Sequence, residues 1–193
     1  MPYLLLKDLP RYECLLEASK EFPELDPSAV ESFLHLLRTG DEAFAVTEHN
    51  FTGHNISHGR FGVLMLLWRG PQSPDANAPD TEDCVSGPRT PAELADAAGV
   101  TRATMTGLVD TLERDGYVKR EPDPADRRTI SVRLTAKGEK FLVEFLPGHF
   151  QLISGLMAPL SESERKTFMR LLGKIQQNAA TIRSESAPHT VSA

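Results

Sequence analysis

The chain has 193 residues, 40% of them hydrophobic and 25% charged, which suits one or two compact cores and excludes a wholly disordered or collagen-like polymer. Its net charge of −6 argues against a protein that coats nucleic acid without regard to sequence, and Cys14 and Cys84 are too few and too far apart for a disulfide framework or a metal knuckle. The longest apolar run, residues 63–68, is far too short to span a bilayer, and residues 1–6 lack the charged flank and long apolar core of a signal peptide, which points to the cytoplasm.

Residues 1–27 read as an N-terminal extension in which Tyr12, Leu15, Leu16 and Ser19 have the spacing of a short additional helix. From Ser28 to about His49 a helical pattern carries Val30, Phe33, Leu34, Leu37, Phe44 and Val46, weakened midway by Gly40. Gly53 and Asn55 break the chain, and Ser57 can cap a helix whose apolar face holds Phe61, Leu64, Met65 and Trp68. Residues 71–88 are rich in Pro, Asp, Ser and Asn and read as an exposed loop insertion of unusual length.

Thr90-Pro91-Ala92-Glu93 is the clearest local signal in the chain. Thr90 can accept from first-turn amides, Pro91 suits the first helical position, and Glu93 can reach back to the cap amide. The resulting short helix puts Leu94, Ala95 and Ala98 inward and ends at Gly99. Thr101 caps the next, in which Met105, Leu108, Val109 and Leu112 form the inner face and Arg102, Thr104, Thr106, Asp110 and Arg114 the outer one. Residues 117–120 and 130–134 read as short strands. Pro122 and Pro124 oppose strand pairing, so 121–129 is expected to form a charged hairpin tip.

Thr135 can cap a long helix carrying Phe141, Leu142, Phe145 and Leu146, which Pro147-Gly148 is expected to kink or interrupt before Phe150, Ile153 and Leu156. Ser161-Glu162-Ser163-Glu164 is a second capping box, and it opens an amphipathic helix with Phe168, Leu171, Leu172 and Ile175. Residues 184–193 read as a disordered tail. Charge is unevenly spread: residues 119–140 hold seven Lys and Arg against four acids, a net +3, which leaves the remainder at −9.

Two short helices joined at Gly99 and followed at once by a basic hairpin form a winged helix-turn-helix. The fold class is therefore mainly α with a small β-hairpin wing, the winged unit at about 57–135 and helical dimerisation segments at 28–50 and 136–183. The first turn of the second helix offers Thr101, Arg102 and Thr104, small or polar groups able to approach base edges in a major groove. Arg127 and Arg128 at the hairpin tip could reach the adjacent minor groove.

The run from Thr90-Pro-Ala-Glu-Leu-Ala through Gly99-Val-Thr-Arg-Ala-Thr-Met-Thr-Gly-Leu-Val-Asp, with Asp123-Pro-Ala-Asp-Arg-Arg and Leu134-Thr-Ala-Lys-Gly, resembles the helix-turn-helix and wing of the MarR family. The resemblance covers about residues 28–183 in helix order and is close only over about 90–138. It implies a homodimer built from the first, fifth and sixth helices, reading a pseudo-palindromic double-stranded DNA operator. It also implies that Arg128 is the wing-tip arginine, that Asp126 orients it, and that Thr101, Arg102, Thr104 and Thr106 form the recognition surface. Gly107 departs from the members that carry Arg there, and the 71–88 insertion departs as well.

Members of this family commonly release DNA when a small phenolic or aromatic carboxylate binds. His35, His58, Arg60 and Trp68 fall on the helices that would line such an effector site, and each reads equally well as a surface or core residue. His49, His54 and His58 lie within ten residues, yet a metal would need a fourth ligand and fixed geometry, so no metal and no cofactor are expected. Neither Glu13 nor Leu15 would activate the Cys14 thiol. Phosphate loops, nucleophile elbows and zinc-protease motifs are missing, which argues against an enzyme. The sequence thus points to a DNA-binding regulator, a repressor rather than an activator because occlusion of an operator requires only binding. A winged-helix module for protein contact is the alternative, and a paired arginine tip beside a polar recognition turn argues against it.

Overall fold

The computed structural model describes residues 8–68, 88–122 and 129–186, which belong to two compact units divided between Phe150 and Gln151. In the first unit, α1 (Tyr12–Glu21) is the short additional helix that the spacing predicts, and it packs on α2 with Leu15 buried. α2 (Pro27–Gly53) starts one residue before the predicted boundary because Asp26 caps it. The Asp26 carboxylate accepts from the Ser28 and Ala29 amides at 2.9 and 3.1 Å, and Pro27 occupies the first turn, where no amide is needed. Those bonds hold the Asp26 carboxyl below its ordinary pKa. The helix continues four residues past His49, and Asn55 at φ 55° makes the turn into α3 (His58–Leu67), which Ser57 caps.

α3 packs on α4 (Pro91–Ala98) and α5 (Arg102–Arg114) around Leu64, Leu94, Met105, Val109 and Leu112, each with none of its surface exposed. β1 (Val118–Pro122) and β2 (Ile130–Leu134) close this core as an antiparallel ribbon that buries Val118 and Val132.

Pairing extends further toward the hairpin tip than the sequence suggests, since Pro122 stands opposite Ile130. The reason is parity. Val132 spends its N–H and C=O on Arg89, at 2.8 and 3.2 Å, on the side of β2 away from β1. Val132 and Arg120 are therefore a non-hydrogen-bonded pair, and so are Pro122 and Ile130 two residues on. A proline there lacks only an N–H that would point away from the ladder.

α6 (Ala136–Met157) runs through Pro147 as one helix, so of the expected kink or interruption the interruption does not occur. Val143, whose carbonyl loses its helical partner at Pro147, is 59% exposed, so water can satisfy the freed oxygen.

The second unit holds the end of α6 and α7 (Glu162–Ser186), opened by the predicted capping box: the Ser161 amide donates to Glu164 at 2.7 Å, and the Glu164 amide donates to the Ser161 hydroxyl at 3.3 Å. α7 extends to 186, so the first three residues of the predicted tail are helical. Its face carrying Phe168, Met169, Leu171, Ile175 and Ile182 is exposed. Among the described residues no single helix is long and apolar enough to cross a membrane.

Candidate nucleic-acid interface

α4 and α5 are held at a fixed angle by their termini. The Thr90 capping box forms as predicted, with the Thr90 amide donating to Glu93 at 2.7 Å and the Glu93 amide donating to Thr90 Oγ1 at 3.2 Å. At the other end Gly99 takes φ 64°, and the amides of Gly99 and Val100 donate to the carbonyls of Asp96 and Ala95, the two bonds of a Schellman closure. The chain then turns directly into α5, where Thr101 Oγ1 accepts from the Thr104 amide at 3.1 Å.

The first turn of α5 is open to solvent. Arg102, Ala103, Thr104, Thr106 and Gly107 are all exposed, whereas Met105 and Val109 on the opposite face are fully buried. In any α-helix the first amides lack an internal partner, so those of Arg102 and Ala103 face outward at the positive end of the helix dipole. The hydroxyls are more constrained than the sequence suggests. Thr106 donates to the Arg102 carbonyl at 2.9 Å, leaving an acceptor and a methyl outward, and the Thr101 and Thr104 hydroxyls bond each other at 2.9 Å. Arg102 has no ion-pair partner among the described residues and is the long cationic group of this turn.

The wing is clamped to the recognition helix by a residue that sequence reasoning passed over. Arg120 on β1 reaches back to α5, its guanidinium 2.6 Å from Asp110 and 2.5 Å from Glu113, while its amide donates to Glu113 at 2.9 Å. Burial works against the Arg120 charge, and the two carboxylates more than offset it, raising its pKa above the ordinary value. On the other ribbon face Glu121 lies between Lys119 at 2.8 Å and Arg133 at 2.6 Å. Chiefly through Lys119, its pKa is lowered. The available signal was the i, i+3 pair Asp110 and Glu113 beside strand alternation at 119–121.

A second tie gathers four elements at residues 115–117. Arg60 of α3 pairs with the Asp115 carboxylate. Lys137 of α6 donates to the Asp115 carbonyl at 2.7 Å and lies 4.8 Å above the Tyr117 ring, and the Thr135 hydroxyl donates to the Gly116 carbonyl at 2.7 Å. Gly138 packs so closely that a Cβ there would stand 2.2 Å from the Tyr117 carbonyl oxygen.

Asp126, Arg127 and Arg128 lie outside the described residues, as do Pro124, Cys84 and residues 71–87 of the insertion. Of the four residues predicted for an effector, three already have partners within the chain. Arg60 is committed to Asp115 and to the Asn55 carbonyl at 3.4 Å, and Trp68 packs on the core. His35 is exposed on α2, nine residues before Phe44 and so about 14 Å along the axis from the ring that stacks on His58. His54 engages the Asn50 carbonyl at 2.9 Å, and among the described residues no group of three His, Cys, Asp or Glu is placed to hold a metal.

A model of the MarR family matches residues 85–130, which holds α4, α5 and β1 of the wing. The chain is 38% identical to the HTH-type transcriptional repressor YetL of Bacillus subtilis over 170 residues, covering 88% of this chain and 93% of that protein. It is 30% identical over 150 residues to YkoM of the same organism, an HTH-type transcriptional regulator, covering 75% of this chain and 86% of that one. Among solved structures, an Escherichia coli MarR variant complexed with operator DNA superposes with a TM-score of 0.58 at 22% identity, over 76% of this chain and 93% of that one. Bordetella bronchiseptica BpsR, whose DNA binding is regulated by 6-hydroxynicotinic acid, gives 0.57 at 24% identity, over 74% and 91%. These structural likenesses show the shared fold.

Proposed function

The chain belongs to the MarR family, and we propose that this DNA-binding transcription regulator acts in the cytoplasm as a homodimeric repressor that occludes a two-fold symmetric operator. The observation that carries the reading is the solvent-facing first turn of α5, with Arg102 at its centre, beside a ribbon locked to the same helix by Arg120. A recognition helix enters a major groove by its N-terminal residues, and phosphates favour the positive end of a helix. Two such modules one helical turn apart bind a pseudo-palindrome far more tightly than one.

Dimerisation is supported by the exposed apolar face of α7, because Phe168, Leu171, Ile175 and Ile182 on one helix cost free energy in water unless a second surface covers them. Control by a small aromatic or phenolic effector belongs to the same proposal, as in BpsR. Repression needs no further activity than operator occupancy, in keeping with the repressor function named for YetL.

The decisive experiment selects duplexes from a random-sequence library at two salt concentrations and measures the mass in solution alongside. Enrichment of a two-fold symmetric site whose affinity falls with salt supports the reading, and a dimer that enriches nothing points to a protein-contact module. Arg128→Ala should weaken binding to all sequences and lower the salt slope by about one, whereas substitution of Arg102 should change which sites are preferred.

A further inference from the structure

We propose that Thr106 sets base preference in each half-site by packing its methyl group on the 5-methyl of a thymine in the major groove. The assignment rests on the operator-binding role argued above and names the base that this role requires.

In a threonine side chain the hydroxyl and the methyl leave Cβ in different directions, so fixing one fixes the other. Thr106 Oγ1 lies 2.9 Å from the Arg102 carbonyl oxygen, four residues back along α5. A carbonyl only accepts, so the hydroxyl donates there, and among the described residues no second group competes for it. The methyl is then the group that Thr106 presents to solvent. Thr106 is exposed, whereas Met105 and Val109 on the far side of α5 are fully buried. Next to it, a Cβ added at Gly107 would meet nothing within 4 Å, so a base edge has room to approach.

The rest of the turn is polar in a different way. The Thr101 and Thr104 hydroxyls bond each other at 2.9 Å, and Arg102 is exposed and cationic. Of the four bases, thymine alone shows an apolar group in the major groove, and a threonine methyl is among the groups that match it. Contact between the two methyls removes apolar surface from water on both sides, and contact with a polar edge does not. A methyl has nothing to offer a phosphate, so its contribution falls on sequence and not on salt dependence. Arg102 and Thr106 stand one turn apart on one face, with about 6 Å of rise between them. That is close to two base-pair steps of about 3.4 Å, so the thymine lies within about two base pairs of the position that Arg102 reads.

The test selects duplexes from a random-sequence library with the full chain, then replaces each thymine of the winning site by deoxyuridine, which lacks only the 5-methyl. One position in each half-site should lose about fourfold in affinity, equally at two salt concentrations, and replacement in both half-sites should lose about fifteenfold. Thr106→Ser keeps the hydroxyl and loses the methyl, and should make that position indifferent to uracil. Thr106→Val deletes the oxygen and should keep the uracil penalty. If the oxygen reads the base instead, Thr106→Val loses the preference and Thr106→Ser keeps it, which overturns the proposal. A uracil penalty that persists in Thr106→Ser overturns it too. So does a site with no uracil-sensitive thymine within about two base pairs of the position whose preference changes in Arg102→Ala. These results leave operator binding standing, whereas a library that enriches no duplex overturns both readings together.

Discussion

Replacing Gly138 by alanine sets two effects of opposite sign against each other. Gly138 is the third residue of α6, and alanine is the better helix former by up to about 1 kcal/mol. Geometry overrules that gain. The added Cβ would stand 2.2 Å from the Tyr117 carbonyl oxygen and 3.2 Å from Leu134 Cδ2. A carbon needs about 3.3 Å from a carbonyl oxygen, so the start of α6 must retreat from the ribbon by about 1 Å. That retreat strains the Thr135 amide bond to the same carbonyl, at 3.0 Å, and the Gly138 amide bond to Thr135, at 3.1 Å. Overpacking of this kind costs about 1–3 kcal/mol, for a net loss of up to about 2 kcal/mol after the helix gain. For a chain of this size the melting temperature should drop by up to about 8 °C, measured by circular dichroism at a fixed protomer concentration. Gly107→Ala is the matched control, since nothing lies within 4 Å of its Cβ position on the exposed face of α5. It should gain about 0.5–1 kcal/mol. A Gly138→Ala protein melting at or above the parent, or two substitutions with equal effects, would refute the reasoning.

Arg120→Ala frees the wing from α5 and leaves Asp110 and Glu113 unneutralised on the recognition helix, so affinity for a selected duplex should drop by at least about tenfold, with Arg120→Lys recovering part of it. Unchanged binding in titrations of Arg120→Ala would show that the ribbon needs no clamp. Thr101→Ala removes the cap of α5 and should lower stability by about 1 kcal/mol, read from the urea midpoint. His149 has its folded-state pKa lowered, so the unfolded chain takes up a proton that the native one refuses. Native stability should therefore fall as pH drops below the ordinary imidazole value, about 6.5, and His149→Phe should abolish that loss between pH 7.5 and 5.5. An identical pH slope in both proteins counts against it.

The parts of this fold that were legible in the sequence are those whose determinants lie within a few residues of each other. The Thr90 and Ser161 boxes, the Gly99 closure and the Ser57 and Thr101 caps were readable because donor and acceptor are three residues apart or fewer, or because one residue type alone tolerates the backbone. Pro122 was misread because its fitness depends on register parity, which is revealed by a bond to Arg89 more than thirty residues away. For the same reason the Arg120 clamp was invisible: Asp110 and Glu113 look like ordinary solvated acids until β1 lies across them. His149 resembles any other helix residue until α2 and α3 close over it. The recognition turn was legible as a surface, but not the inward commitment of its threonine hydroxyls.

The corner at residues 115–117 explains how a change near α2 can reach the recognition turn without deforming the core. Asp115 follows the last residue of α5, and it is gripped by Arg60 from α3 and by Lys137 from α6, while Thr135 binds the Gly116 and Tyr117 carbonyls. Gly116 at φ 79° and the close approach of Gly138 leave this junction little room to flex. α5 is thus pinned at its C-terminal end by the corner and along its length by Arg120, so it moves with α3, the ribbon and the start of α6 as one body. The freedom that remains in the described part of this unit lies where α2 meets that body. The junction is held by the short turn at 54–57 and by the ring cluster of Phe44, Phe51, His58, Phe61, Phe145 and His149. On the function proposed above, an effector acting at those rings would change the angle of the recognition helix rather than the residues that face the bases.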